Sequence, residues 1–295
     1  MELHKIAEFL DNYFRVHEFQ PDQPFSQLVP EVYGEAAISF EEYLEPRFLK
    51  SYHGLMIRNG TSVEKIYSIV FPADEIIEEL LKKEKQNVLI ITHHPLMMET
   101  SDRGFVPLPE DLLRGMKDQH ISMYAVHTPL DVHPHVSTTI ALGREIGVMK
   151  RADCCFDSGG PTGIWGNLLS EVDLKAFIDH VSAVSGVKDT RFVDNGRMVR
   201  TVGVRPGGVG VPEIMEFQEL GCDTVVTGTY NNLVKTEIGQ WYRDQFKRAK
   251  NNITVNLIEC SHYATEAFVM KLDMVKLCSQ FDVPCSFLPQ DDPWL

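Results

Sequence analysis

The sequence predicts an α/β protein made of two α/β halves that face each other. Three observations predict it. Short apolar runs that suit buried strands alternate with amphipathic helical stretches. That rhythm occurs on both sides of a middle segment near residues 150–195. Several of the runs end in histidines or a glycine turn, where parallel sheets gather their functional residues. A chain of 295 residues with 43% apolar content has ample material for such a core.

Taken in order, residues 1–20 read as a helix, with Ile6, Phe9, Leu10, Tyr13 and Phe14 at helical spacing. Residues 21–50 are punctuated by proline and read as an irregular arm. Its apolar Phe25, Leu28 and Val29 need cover, so the arm is expected to pack on the cleft or on a neighbouring subunit. KIYSIVF (65–71) is a strand. ADEIIEELLKKEKQ (73–86) is a helix with acids early and lysines late, as the helix dipole favours. NVLIIT (87–92) is apolar throughout, which suits a strand buried on both faces. Strand, helix, strand makes a βαβ unit with parallel strands.

The pattern continues with the helix EDLLRGMKDQ, the strand ISMYAVHT and the helix STTIALGREIGV. After DLKAFIDHVSAVSGV (173–187), a further helix, comes strand, glycine turn, helix and strand in RMVRTVGVRPGGVGVPEIMEFQELGCDTVVTGTY. The turn RPGGVG (205–210) lacks the lysine and hydroxyl of a P-loop and reads as a tight strand-to-helix connection. NITVNLIECSH is a last strand, and TEAFVMKLDMVKLCSQF a last helix. The expected organisation is an N-terminal helix and arm (1–50), a first half (51–150), a connecting segment (151–195) and a second half (196–295).

Composition narrows the function classes. A net charge of -14 argues against a general nucleic-acid surface. No apolar run of membrane-spanning length occurs, and the acidic, amphipathic start lacks the form of a signal peptide, so a cytoplasmic protein is expected. The six cysteines form no C-x-x-C pair. Adjacent Cys154 and Cys155 would bridge each other only with strain, and reduced, buried thiols are expected. Cys260 reads as a core residue.

The strand ends carry the chemistry. They present His93 and His94, then His127 and Asp131 in HTPLD, then His262 and Glu266 in SHYATE. An isolated histidine is more often a hydrogen-bonded core residue, and an acid in a first helical turn has an adequate structural role. Two adjacent imidazoles at the end of an apolar strand are harder to explain that way, because each would repel the other once charged. A metal ion removes the difficulty. Adjacent side chains of an extended segment point to opposite sides, so the pair suits two metals, with Asp131 and Glu266 able to bridge them. Two such ions activate water as a nucleophile. The nitrogen and oxygen donors suit Zn, Mn, Fe or Co. His127 is expected behind the ligands, orienting Asp131. His133 and His135 are poorer candidates, as liable to face a substrate as a metal.

In combination LIITHHPL, YAVHTPLD, the glycine turn before GCDTVVTG, and SHYATE resemble the Nif-three-like family, whose members are often labelled GTP cyclohydrolase I type 2 homologues. The resemblance covers the chain from about residue 54 onward. It implies two similar α/β halves with a two-metal site in the cleft between them, ligated by His93, His94, Asp131, His262 and Glu266, and a ring-like homo-oligomer, usually a hexamer. Pro129 stands where the family commonly has Asn. Thr229 replaces an acid that follows the second Thr-Gly. The early Trp-Asp-Asn is absent, and SYHGLMI (51–57) takes its place with His53 as a substitute contact.

The expected function is a two-metal hydrolase acting on a nucleotide or another phosphorylated small molecule. A metal-handling protein with the same ligands and no turnover is the alternative, as is a regulatory scaffold. No residue points to a guanine site.

Overall fold

The computed structural model describes residues 1–83, 86–157, 159–231 and 234–295. The strands are β1 (Gly54–Ile57), β2 (Lys65–Ile69), β3 (Val88–Thr92), β4 (Met97–Met98), β5 (Phe105–Val106), β6 (Ser122–Ala125), β7 (Met149–Asp157), β8 (Gly160–Val172), β9 (Arg191–Val193), β10 (Val199–Gly208), β11 (Thr224–Thr229), β12 (Asn256–Glu259) and β13 (Cys285–Phe287). The chain is α/β and divides into two units. One comprises residues 1–98, 105–133 and 270–291, the other 99–104, 134–269 and 292–295. Neither is a single stretch of sequence, because residues 270–291 return to the unit in which the chain began.

In the first unit the strand order is β1-β6-β3-β2-β13. β13, β2, β3 and β6 are parallel, and β1 closes the edge antiparallel to β6. Every residue of β3 is buried, as its apolar run requires. The helix Asp74–Lys83 links β2 to β3, with Asp74 and Glu75 in its first turn and Lys82 and Lys83 in its last. Residues 84 and 85 of the expected helix lie outside the described residues. The register aligns Ile69, Thr92 and Ala125 across the sheet. The segments that follow these residues therefore leave the sheet side by side.

The arm is not irregular. Residues Gln23–Glu35 form an α-helix, capped by Asp22 and containing Pro30, and Phe48–Ser51 form a short one. Phe25, Val29, Val32 and Tyr33 are its buried residues. Their spacing puts them on one face, and burying that face outweighs the propensity cost of the interior proline.

In the second unit the order is β7-β8-β10-β11-β12-β9, with β10, β11 and β12 parallel. The connecting segment read at 151–195 supplies much of it: β7 and the long β8 form an antiparallel hairpin, followed by the helix Leu174–Ser185 and β9. Two apolar clusters fill the sheet's faces. One holds Val181, Val202, Val204, Ile258 and Cys260, which confirms Cys260 as a core residue. The other holds Cys154, Cys155, Phe217, Cys222 and Leu257. No helix among the described residues is long and apolar enough to cross a membrane.

Candidate metal centre

In the first unit, His93 and His94 follow β3 directly. The His93 and His94 amides donate in succession to the carbonyls of Ile69 and Val70. The Thr92 hydroxyl lies 2.7 Å from the His94 carbonyl. The backbone bends here and leaves the pleat, so the two imidazoles do not alternate as an extended segment would. Their ring centroids are 4.4 Å apart, edge to face. Both are buried, at 0% and 2% exposure. This corrects the expectation that they point to opposite sides.

His93 Nδ1 lies 3.0 Å from the Val126 carbonyl. A carbonyl only accepts, so Nδ1 carries the proton and Nε2 presents its lone pair. That nitrogen lies 3.5 Å from Asp131 Oδ1. His127 has the same arrangement: Nδ1 is 2.8 Å from Asp22 Oδ2, and Nε2 is 3.8 Å from Asp131 Oδ2. An imidazole anchored through one nitrogen so that the other is aimed is the usual form of a metal-ligating histidine. His94 stacks on Phe71, with ring centroids 4.5 Å apart. The ligand atoms of His93, His94 and His127 lie within 4.8 Å of one another. The structure thus brings His127 as close to the cluster as the two predicted ligands.

Asp131 reaches the cluster through the short helix Thr128–Asp131, four residues beyond His127. Phe25 of the arm packs edge-on against His127 and His94, at 4.9 and 5.9 Å. The arm therefore covers the histidines of its own unit.

Asp22 was not foreseen. Burial acts to raise its pKa, but the charge of His127 and hydrogen bonds from His127 and Thr128 outweigh this, holding the carboxyl well below the usual carboxylate range. Burial acts to lower the pKa of His127, and Asp22 reverses this, leaving it above the ordinary imidazole value. His53 is buried near the same pair, and burial pushes its pKa down to about 4. His133 lies elsewhere, stacked on Tyr13 at 4.8 Å.

In the second unit, His262 opens the helix His262–Phe268 and Glu266 follows one turn later on the same face. His262 Nε2 and Glu266 Oε1 are 3.1 Å apart. Ser261 caps the helix at φ +73°, accepting from the Ala264 amide and donating to Asp292. Trp294 packs against the His262 ring at 4.8 Å. Gly207, in the expected glycine turn, lies against both donors at φ +62°. A Cβ there would sit 2.7 Å from Glu266 Oε1 and 3.1 Å from His262 Nε2. Any side chain would occupy the space of a ligand.

The Thr229 hydroxyl donates to Glu259 at 3.0 Å. Glu259 in turn accepts from Arg191 at 3.1 Å. A cavity of about 490 Å³ opens beside this pair, lined among others by Lys188, Arg191, Glu259, Ser261 and Trp294.

The donors fit a divalent ion: imidazole nitrogens and carboxylates, buried or half-buried and oriented by neighbours. Comparison with known proteins agrees with the sequence resemblance. The Duf34/NIF3 (NGG1p interacting factor 3) family profile matches residues 35–293. A GTP cyclohydrolase 1 type 2 homolog of Deinococcus radiodurans is 26% identical over 239 residues, covering 81% of this chain and 84% of its own. A homolog of the same name from Pyrococcus horikoshii is 25% identical, covering 83% and 90%. Among solved structures, TTHA1606 from Thermus thermophilus superposes with a TM-score of 0.65 over 99% of both chains at 22% identity, a likeness of fold.

Proposed function

The chain belongs to the Duf34/NIF3 family, and from that premise we propose that it is a metal-dependent hydrolase of nucleotides or other small phosphorylated molecules. The proposed ligands are His93, His94 and Asp131 in one unit and His262 and Glu266 in the other. Two divalent ions, Zn, Mn, Fe or Co, are the proposed cofactor. The observation that carries the reading is the convergence of His93 Nε2 and His127 Nε2 on the Asp131 carboxylate, each ring anchored through Nδ1.

When bound, such ions acidify water and stabilise charge on phosphoryl oxygens. The chain's own residues do the rest. Val126 and Asp22 fix the tautomers of His93 and His127. Asp22 holds the His127 ring through Nδ1 with Nε2 towards Asp131, which suits that residue to orient the carboxylate. Phe25 and Phe71 exclude water from the imidazoles. Lys188 and Arg191, on the cavity in the second unit, offer positive charge to a phosphorylated substrate. The same reading carries a homo-oligomeric ring, expected to be a hexamer.

The test is metal content per chain by plasma mass spectrometry, on protein purified without chelator or affinity nickel. About two equivalents are expected in wild type, fewer in His94→Ala and in Glu266→Ala. Loss of all metal in either variant identifies one centre served by both sets of ligands, whereas partial, independent losses identify separate sites. No metal, and none taken up on titration, overturns the hydrolase reading. Bound metal without turnover across a panel of phosphoesters and nucleotides leaves a metal-handling protein.

A further inference from the structure

β7 stands at the edge of the second unit's sheet and, among the described residues, pairs only with β8. Neighbouring residues of a strand point to opposite faces. Cys154 and Cys155 do not: both are buried, with Sγ atoms 3.9 Å apart. The cause is local. Cys155 has φ +53°, a left-handed conformation uncommon outside glycine, which turns its side chain to the face of its neighbour.

Three contacts hold this geometry. The Cys155 amide donates to Glu216 Oε1 at 2.9 Å. The Thr162 hydroxyl donates to the Cys155 carbonyl at 2.7 Å. Gly163 across the hairpin leaves room for the thiol, since a Cβ there would lie 2.9 Å from Cys155 Sγ. The two sulfurs and a Glu216 oxygen all lie within 4.8 Å of one another. A disulfide would need its sulfurs ~2.05 Å apart. Two Zn–S bonds of ~2.3 Å at a tetrahedral angle set them ~3.8 Å apart, close to the spacing observed. Soft thiolates with one carboxylate suit a zinc-class ion rather than Mg or Ca.

We propose that Cys154, Cys155 and Glu216 form a second cation site, specific for a thiophilic divalent ion such as Zn(II) or Cd(II), which clamps the edge strand β7 to the helix Val211–Glu219. Binding replaces the two thiol protons, which leave to solvent, with two metal–sulfur bonds; no oxidant is involved. Glu216 Oε1 is engaged by the Cys155 amide, so Oε2 is the oxygen that turns to the ion. Cys222 belongs to the same buried cluster and provides a control thiol. The site shares no residue with the histidine and carboxylate ligands, and stands or falls independently of them.

The experiment titrates the full-length, reduced, metal-free chain with Cd(II) and follows thiolate-to-cadmium charge-transfer absorption. One equivalent of this signal is expected in wild type and in His94→Ala, with its loss in Cys154→Ser and Cys155→Ser. Glu216→Gln is expected to weaken binding at least about tenfold, and Cys222→Ser to retain it. Alkylation with peptide mapping tests the same point without substitutions: Zn(II) should protect Cys154 and Cys155 in wild type. Absence of the charge-transfer signal, its persistence in both serine variants, or unchanged alkylation of both thiols overturns the proposal and leaves the pair as core packing.

Discussion

His53 shows at the scale of a single residue what burial does to a titratable group. His53 is neutral when folded, with its pKa pushed down by burial to about 4 from an ordinary 6.5. Between these values the unfolded chain binds the proton and the folded chain does not. Stability is therefore lost as pH falls from 6.5 towards 4, by on the order of 3 kcal/mol at most. His53→Gln removes this contribution. Urea unfolding of metal-free protein should show the wild type losing ground to the variant by that order between pH 7 and pH 4. A difference that does not change with pH would refute the assignment. The residues proposed as ligands were legible because their types recur at strand ends in a recognisable order. Asp22 was not. It lies 105 residues from its partner His127, and its local signal, an acid just ahead of a Gln-Pro helix start, describes an N-cap equally well.

Elements were legible where hydrophobic period and length agreed, as in β2, β3 and the helices around them. The arm helix is masked by its prolines, which punctuate the segment as a loop would. Pro24 sits in the first helical turn, where a missing amide costs little. The buried positions 25, 29, 32 and 33 carry a helical period that outweighs Pro30. The β7–β8 hairpin was hidden for a different reason: most of β7 is exposed and its burial does not alternate, so no period of two is written there. Phe25 tests the arm helix. Phe25→Ala removes a side chain that is 3% exposed and should cost about 3–5 kcal/mol of unfolding free energy. A loss below about 1 kcal/mol would mean that the helix contributes little to its unit.

At the scale of the molecule, the α/β class and the alternation of strand and helix were readable, whereas the membership of the units was not. A linear reading cannot show that residues 270–291 belong with residues 1–98, because β13 joins its sheet by pairing with a strand more than two hundred residues earlier. Assembly belongs to this scale too. The proposed hexamer of 33.5 kDa chains would show a mass of about 200 kDa by light scattering. Phe156 and Leu169, on β7 and β8, are 72% and 84% exposed, the highest fractions among the large apolar residues described. Leu169→Lys is expected to lower the measured mass. An unchanged mass would place the subunit contact elsewhere.

Trp294 packs against the ring of His262, and this contact makes the molecule its own optical probe. Indole emission responds to the state of a ring in van der Waals contact with it. A change of charge on the imidazole, or a paramagnetic ion held by it, alters the yield. Two other tryptophans, Trp165 and Trp241, supply a background that Trp294→Phe would isolate. Occupancy at His262 can then be followed in real time, in the intact protein, with no label and with every proposed ligand still in place.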